Sequence, residues 1–272
     1  MNKILRSPVV ALAAPFLMAG LASPAMAQSD PRISGFFALG ALSTPEYQGS
    51  SDQTVGPLVA GRLAYDTYYI ETATLAGGFG VRANVLPWSG IEAGPVLGQR
   101  RGRSDVENAT VKLLGNIDDS TIAGAFMRLP FSDVLTRHDE AAIEVEYHAD
   151  VSSNSTGNLL FFGGSYGFAA TERLWLAAIA LASYASDSYN QTFFGVTQAG
   201  AAASGLPVYK AGGGIRDVGL TLTADYTISG GWGVTGVVSL RRLLGDAADS
   251  PIVSREGDKN QLSFGLGLSY SF

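Results

Sequence analysis

Gln261-Leu262-Ser263-Phe264-Gly265-Leu266-Gly267-Leu268-Ser269-Tyr270-Ser271-Phe272 is the stretch that decides the fold. Successive side chains of an extended chain point to opposite sides. Here that places Leu262, Phe264, Leu266, Leu268, Tyr270 and Phe272 on one face, and Gln261, Ser263, Gly265, Gly267, Ser269 and Ser271 on the other. A tilted strand needs about 9–11 residues to cross a bilayer, and this one is long enough. The same alternation recurs upstream. Val218, Leu220, Leu222, Ala224, Tyr226 and Ile228 oppose Gly219, Thr221, Thr223, Asp225 and Thr227, while Ala141, Ile143, Val145, Tyr147 and Ala149 oppose Ala142, Glu144, Glu146 and His148.

A soluble sandwich also alternates, so strand length and number must discriminate. Twelve strands are expected, at 32–42, 54–65, 68–75, 78–86, 91–100, 121–130, 140–151, 158–169, 174–184, 217–228, 232–243 and 261–272, with ten as the alternative count. With both ends of the barrel in the periplasm, the outer connections are Ser43 to Gln53, Gly77, Arg101 to Ser120, Ser152 to Gly157, Ala185 to Arg216 and Leu244 to Asn260. The inner ones are Asp66-Thr67, Pro87 to Gly90, Phe131 to Asp139, Ala170 to Arg173 and Ser229 to Gly231. Long outer loops and short inner turns are the asymmetry of an outer-membrane barrel of even strand number. The short outer link at Gly77 and the longer inner one near Val134 are the two exceptions that keep ten strands in play.

Composition agrees. The chain is 46% hydrophobic but only 15% charged, with 34 Gly, 13 Phe and 11 Tyr, against about 25% charged for an ordinary soluble domain. Nothing after Leu21 is an apolar run of membrane-helix length. Lys3 and Arg6, the apolar run Val9 to Leu21 and Ala25-Met26-Ala27 have the order of a secretory signal peptide, so residues 1–27 are expected to be cleaved and 28–272 to form the barrel of a Gram-negative outer membrane. With no Cys there are no disulfides or thiolate metal sites, and a net charge of −6 argues against nucleic acid as a partner. Trp88, Trp175 and Trp232 all fall in or beside inner connections, as an aromatic girdle on the periplasmic side requires.

Several connecting segments carry a resemblance to a known family: Pro45-Glu46-Tyr47-Gln48-Gly49-Ser50, Gly94-Pro95-Val96-Leu97 leading to Arg101-Gly102-Arg103, Ser204-Gly205-Leu206 with Tyr209, and above all Arg242 to Val253 before the closing strand. Together, in this order and spacing, they resemble the MipA/OmpV family of outer-membrane proteins over essentially the whole mature chain. The resemblance implies a barrel whose best-known relative looks like a scaffold joining a lytic murein transglycosylase to a murein synthase. Other members resemble porin-like channels or adhesins. The family brings no catalytic residues. Tyr270 and Phe272 resemble the terminal aromatics read by the barrel assembly machinery, and the apolar face of the strands is expected to meet outer-membrane lipid.

Glu144, Glu146, His148 and Asp225 lie on the face opposite the lipid and are the candidate lumen-lining groups, with Asp150 beside them and Arg62, Arg82, Arg128 and Arg241 as counter-charges. They could set the selectivity of a pore or fill a narrow barrel as an internal ion-pair network. Enzymatic readings are weak. His138 and His148 are the only histidines, and no Gly-x-Ser-x-Gly or His-Glu-x-x-His motif is present. Gly212-Gly213-Gly214 lacks the Lys-Ser/Thr of a phosphate loop, so no cofactor is expected. Asp246 and Asp249 are too few to hold a cation and fit a turn instead.

Overall fold

A computed structural model describes residues 33–272 other than 76, 89 and 155; the expected leader and its cleavage point lie outside the described residues. The strands are β1 (Ile33–Pro45), β2 (Gln53–Tyr65), β3 (Tyr68–Leu75), β4 (Gly78–Asn84), β5 (Glu92–Arg100), β6 (Ser120–Ser132), β7 (Glu140–Asp150), β8 (Asn158–Thr171), β9 (Leu174–Ala185), β10 (Gly214–Ser229), β11 (Trp232–Leu243) and β12 (Asn260–Ser271). Each pairs antiparallel with its sequence neighbours, and β1 pairs with β12, so the sheet closes into a twelve-strand up-and-down barrel. The ten-strand alternative is thereby set aside. The link at Gly77 is a tight hairpin with Leu75 opposite Gly78, and the 133–139 connection is a folded turn rather than a lost strand pair.

Outward positions carry exposed apolar side chains: Leu39, Leu63, Ile143, Leu222, Leu240, Leu266 and Leu268 are all at least half or nearly half exposed. An apolar exterior on a closed sheet suits lipid, because closure leaves no unpaired strand edge to desolvate. Inward positions mix small and polar side chains with buried apolar ones, and some of the small ones sit where neighbouring strands approach closely. Gly40 is a case in point: a Cβ there would lie 2.0 Å from the carbonyl oxygen of Leu266 on β12. Main-chain bonds between Gly35 and Phe272, 2.9 Å in each direction, clasp the first strand to the last residue.

Three differences from the expected strands have local causes. β4 stops at Asn84 because that side chain takes over main-chain partners, accepting from Ala93 N–H at 2.9 Å and donating to Thr67 O at 2.6 Å. β10 begins at Gly214, earlier than expected, across a register shift between Ile215 and Asp217. The long connections contain short helices that alternation does not reveal: α1 (Ala109–Lys112), α2 (Asp187–Phe194), α3 (Gln198–Ser204), α4 (Gly245–Asp249) and α5 (Pro251–Ser254). Ser186, Thr197 and Asn108 cap three of them by accepting a main-chain N–H. None of the described helices is long and apolar enough to cross a membrane.

Candidate functional site: the packed lumen and the two ends of the barrel

Ladder register assembles a charged cluster inside β2 to β7. Arg62, Glu71 and Arg82 sit opposite one another on β2, β3 and β4, and Glu92, Arg128 and Glu144 do so on β5, β6 and β7. Each trio alternates in sign, and Arg82 joins the two. Its Nε donates to Glu71 Oε1 at 2.7 Å, and its Nη1 donates to Glu146 Oε2 at 2.7 Å and also to Glu144. Arg128 Nη1 donates to Glu92 Oε2 at 2.8 Å, a carboxylate that also accepts from Tyr69 Oη at 2.8 Å. His148 Nε2 lies 2.5 Å from Glu146 Oε1. The Arg82 guanidinium stands over the Phe126 ring, 4.5 Å from its centroid. Such charges are tolerated away from water only because each faces an opposite charge and its polar atoms are bonded.

A second cluster lies on the opposite wall. Asp217 accepts from Arg216 Nε at 2.5 Å, Ser183 Oγ at 2.7 Å and Arg241 Nη2 at 2.8 Å. Neighbours in a regular strand cannot both point inward, but the register shift at Ile215/Asp217 turns Arg216 in as well. Arg216 then ties the wall to the loops, donating to Tyr189 Oη at 2.8 Å and to Gln48 Oε1 at 3.3 Å.

Between these clusters the lumen is filled. Leu42, Leu58, Glu71, Arg82, Val96, Ile122, Glu146, Phe161, Ile179, Thr221, Val237 and Ser263, one from each strand, are all buried, none more than 9% exposed. Small barrels fill their interiors with side chains in this way.

The long connections form a cap over one end. Tyr47, Val106, Val111, Val196, Leu206 and Ile252 make one apolar cluster drawn from four separate loops, and Tyr189, Phe193, Phe194, Ala247 and Val253 belong to another that rests on Leu159, Phe161 and Leu243. Cross-loop bonds fix the arrangement: Ser250 Oγ to Phe194 O at 2.6 Å, Arg103 Nη1 to Phe193 O at 3.2 Å, Glu107 N–H to Glu46 Oε1 at 2.8 Å and Asp258 N–H to Gly49 O at 2.9 Å. Burial pushes the Tyr47 phenol up to about 12 and the Arg103 guanidinium down. Asp246 spends its carboxylate on Gly212 N–H, 2.6 Å away, as a loop tie.

The other end opens into a vestibule of about 790 Å³ lined by Arg137, His138, Glu140, Arg173, Trp175 and Asp225 among others. Its rim is shaped by the 133–139 turn, where Asp139 accepts main-chain N–H bonds from Val134 (2.6 Å), Leu135 (2.8 Å) and Thr136 (2.6 Å) and a bond from Tyr166 Oη (2.8 Å). Burial opposes ionisation there, but these donors hold its carboxyl well below the usual range. His138 is a turn residue with φ of 65°, its N–H bonded to Asp133.

Of the residues expected at the lumen, Glu144, Glu146 and His148 come together in the cluster, while Asp225 is separate, bonded by Thr235 Oγ1 at the vestibule. Arg62, Arg82 and Arg128 do serve these carboxylates, but Arg241 serves Asp217. Glu71, Glu92 and Tyr69 complete the site and were not singled out in the sequence, although Tyr69 and Glu71 share one face of β3 and Glu92 opens β5. Trp175 departs from the girdle expectation: it lies on the inward parity of β9 and lines the vestibule, its Nε1 buried and without a bonding partner among the described residues. Trp88 and Trp232 are 62% and 51% exposed, and Trp232 packs on Tyr270 (4.9 Å) and Phe37 (6.5 Å). His148 is fully buried with Nε2 engaged, so no substrate reaches it in this packing. Among the described residues no group of three or more His, Asp or Glu is arranged to hold a metal ion.

No curated sequence relative matches the chain. Solved structures that resemble it include a porin refined at 1.8 Å resolution (9% identity, TM-score 0.36, covering 88% of this chain and 99% of that one). OmpT, an outer membrane protein of Vibrio cholerae, is similar at 8% identity and TM-score 0.35, covering 91% and 100%. The CymD monoaromatic hydrocarbon channel is similar at 11% identity and TM-score 0.37, covering 88% of each. Likeness at this level says nothing about what passes through the chain. The family match is of a different order: the model of the MltA-interacting protein MipA aligns with residues 37–272, every strand of the barrel except the first few residues of β1. A closed twelve-strand barrel with an apolar exterior is an outer-membrane protein, and this chain belongs to the MipA family.

Proposed function

We propose that the chain is a closed, non-conducting membrane anchor that serves as a scaffold for murein enzymes, engaging a murein transglycosylase and, with it, a murein synthase from the vestibule end. The observation that carries this reading is the filled lumen: an inward side chain from each of the twelve strands is buried, and a loop cap stands above them. A diffusion channel needs a water-filled path along its axis. The family description, an MltA-interacting protein, supports a transglycosylase as the partner. The vestibule supplies a concave, mixed-charge surface at the end that carries both chain termini of the barrel. Residues 1–27 act as a cleaved leader, Phe272 and Tyr270 as the mark read by the barrel assembly machinery, and Trp88 and Trp232 as interfacial anchors.

Purified protein in planar bilayers should show no stepwise conductance; reproducible single-channel steps would overturn the closed-barrel reading. Envelope extract passed over the detergent-solubilised barrel should retain a murein transglycosylase, and Arg137→Glu with Arg173→Glu should lose it while the barrel still folds. Recovery of no murein enzyme by the unaltered protein would overturn the scaffold. N-terminal sequencing of the exported protein should begin at Gln28.

A further inference from the structure

Carboxylates on inward strand positions are, with two exceptions among the described residues, paired or fully bonded. Glu71, Glu92, Glu144, Glu146 and Asp217 each meet a cationic side chain. Asp150 accepts bonds from the main chain and hydroxyl of both Ser152 and Thr156. The exceptions are Glu140, whose carboxylate has no bonded partner among the described residues, and Asp225, which has only the hydroxyl of Thr235. A carboxylate sheltered from bulk water without a counter-charge costs free energy, so two left over in one place call for an explanation.

Both line the vestibule, and both are partly exposed to it. The arginines of that space stand on its turns, where signs are mixed: Arg137 lies between Asp133 and Asp139 in the chain, and Arg173 follows Glu172. Neither arginine pairs with Glu140 or Asp225. Further in, Arg62 and Arg128 are already taken by Glu71 and Glu92. The surplus negative charge is therefore fixed on the strand wall.

Ladder register sets an aromatic surface between the two carboxylates. Asp225 on β10 lies opposite Trp175 on β9, and Glu140 on β7 lies opposite Gly167 on β8. The indole joins these rungs. A Cβ built on Gly167 would lie 2.9 Å from Trp175 Nε1, 3.0 Å from Cζ2 and 3.1 Å from Cε2, so that edge of the ring rests on the bare glycine. Nε1 is shut off there, and the remainder of the ring lines the vestibule. Glycine in a strand marks such a close approach. Round the wall the order is carboxylate, indole, carboxylate. With neighbouring strands about 4.8 Å apart, the positions on β7 and β10 are about 14 Å apart along the wall. One metal ion, holding its oxygen ligands at about 2.3–2.6 Å, cannot bridge them. A chain with a cation at each end and methylenes between can, because an aromatic face attracts ammonium groups and covers an alkyl stem.

We propose that the vestibule wall binds a linear diammonium compound of the polyamine class, one ammonium at Asp225, the other at Glu140, and the methylene chain across the Trp175 indole. The site does not rest on the scaffold reading, and it stands if no murein enzyme is retained by the barrel.

Isothermal titration calorimetry of the whole barrel in an uncharged detergent, with 1,5-diaminopentane as the probe, tests it. Saturable binding at one site is expected. On the unaltered protein 1-aminopentane, which reaches only one carboxylate, should bind about ten-fold more weakly or worse, the size of one charge-assisted bond. Asp225→Asn and Glu140→Gln should each weaken the diamine to a similar degree, whereas Glu172→Gln, which removes a vestibule charge outside the site, should leave its affinity at the parental value. Gly167→Val displaces the indole without altering any charge and should weaken the diamine several-fold, with the variant still running as a heat-modifiable band. Absence of saturable binding, equal affinity for the two amines, or an equal loss in Glu172→Gln, the mark of diffuse attraction to an acidic surface, would each overturn the proposal.

Discussion

Replacing Arg82 by Met removes the cation on which two walls of the lumen converge, at nearly constant side-chain volume. Arg82 is 3% exposed and serves Glu71, Glu144 and Glu146. Without it Glu71 keeps Arg62 at 3.5 Å, on a side chain that is itself 25% exposed, Glu144 keeps Arg128 at 3.9 Å, and Glu146 keeps only His148. Deleting one partner of a buried ion pair costs about 3–5 kcal/mol, because the survivor is left charged and unsolvated. With three carboxylates affected, two of them holding distant substitutes, the cost should lie in the upper part of that range. Urea unfolding in detergent, followed by the fluorescence of Trp88, Trp175 and Trp232, reads the change. For a denaturant slope of about 2–3 kcal/mol per M the midpoint falls by about 1.3–2.5 M. Adding Glu146→Gln to Arg82→Met should restore part of the loss, with a coupling in the range of about 0.5–3 kcal/mol seen for shared networks. An Arg82→Met unfolding free energy within about 1 kcal/mol of the parent, or a double variant less stable than the single one, would refute the view that mutual neutralisation fills this lumen.

Leu266→Lys, on the lipid face, should destabilise by about 2–4 kcal/mol near the bilayer midplane, measured by the same unfolding, whereas Gly267→Lys turns inward against Leu58 and should act by crowding instead. Asp139 ionises more readily folded than unfolded, so its contribution is present above the ordinary carboxylate range and is lost as pH falls below about 4; Asp139→Asn should lower stability at neutral pH and remove that acid limb, and an unchanged pH profile would contradict it. Ser250→Ala loses both the bond to Phe194 O and the cap of α5, costing about 0.5–2 kcal/mol, and should speed proteolysis within 186–213 while the barrel still runs as a heat-modifiable band. Gly49→Ala, at φ of 93° with Val253 Cγ2 2.5 Å from the new Cβ, should open the same cap; protease resistance equal to the parent would count against the packing described.

The barrel was legible because a membrane strand obeys a rule of period two over its whole length, and β12, β10 and β7 keep it without interruption. The cap was not. α2 and α3 are short, and what holds them is contact with residues far away in the chain, such as Phe193 O with Arg103 and Phe194 O with Ser250, which no local pattern encodes. The site was half legible. Parity alone put Glu144, Glu146 and His148 together, but the choice of Arg82 over Arg241 as their partner depends on register, which residue spacing leaves undetermined. Arg216 was hidden by the bulge that turns two neighbours inward, and Trp175 looked interfacial because proximity to a turn does not say which way a ring faces.

The members of the charged cluster all come from residues 62–148, six consecutive strands each paired antiparallel with the next. Its ion pairs can therefore form while the sheet is still an open, curved ribbon, with no contribution from the second half of the polypeptide. The clasp between Gly35 and Phe272, in contrast, joins the first strand to the twelfth and cannot exist until β12 is in place. The connectivity thus allows an order of assembly, a pre-organised charged wall first and a ring sealed by the β1–β12 pairing, at which moment that wall passes from water to an enclosed interior.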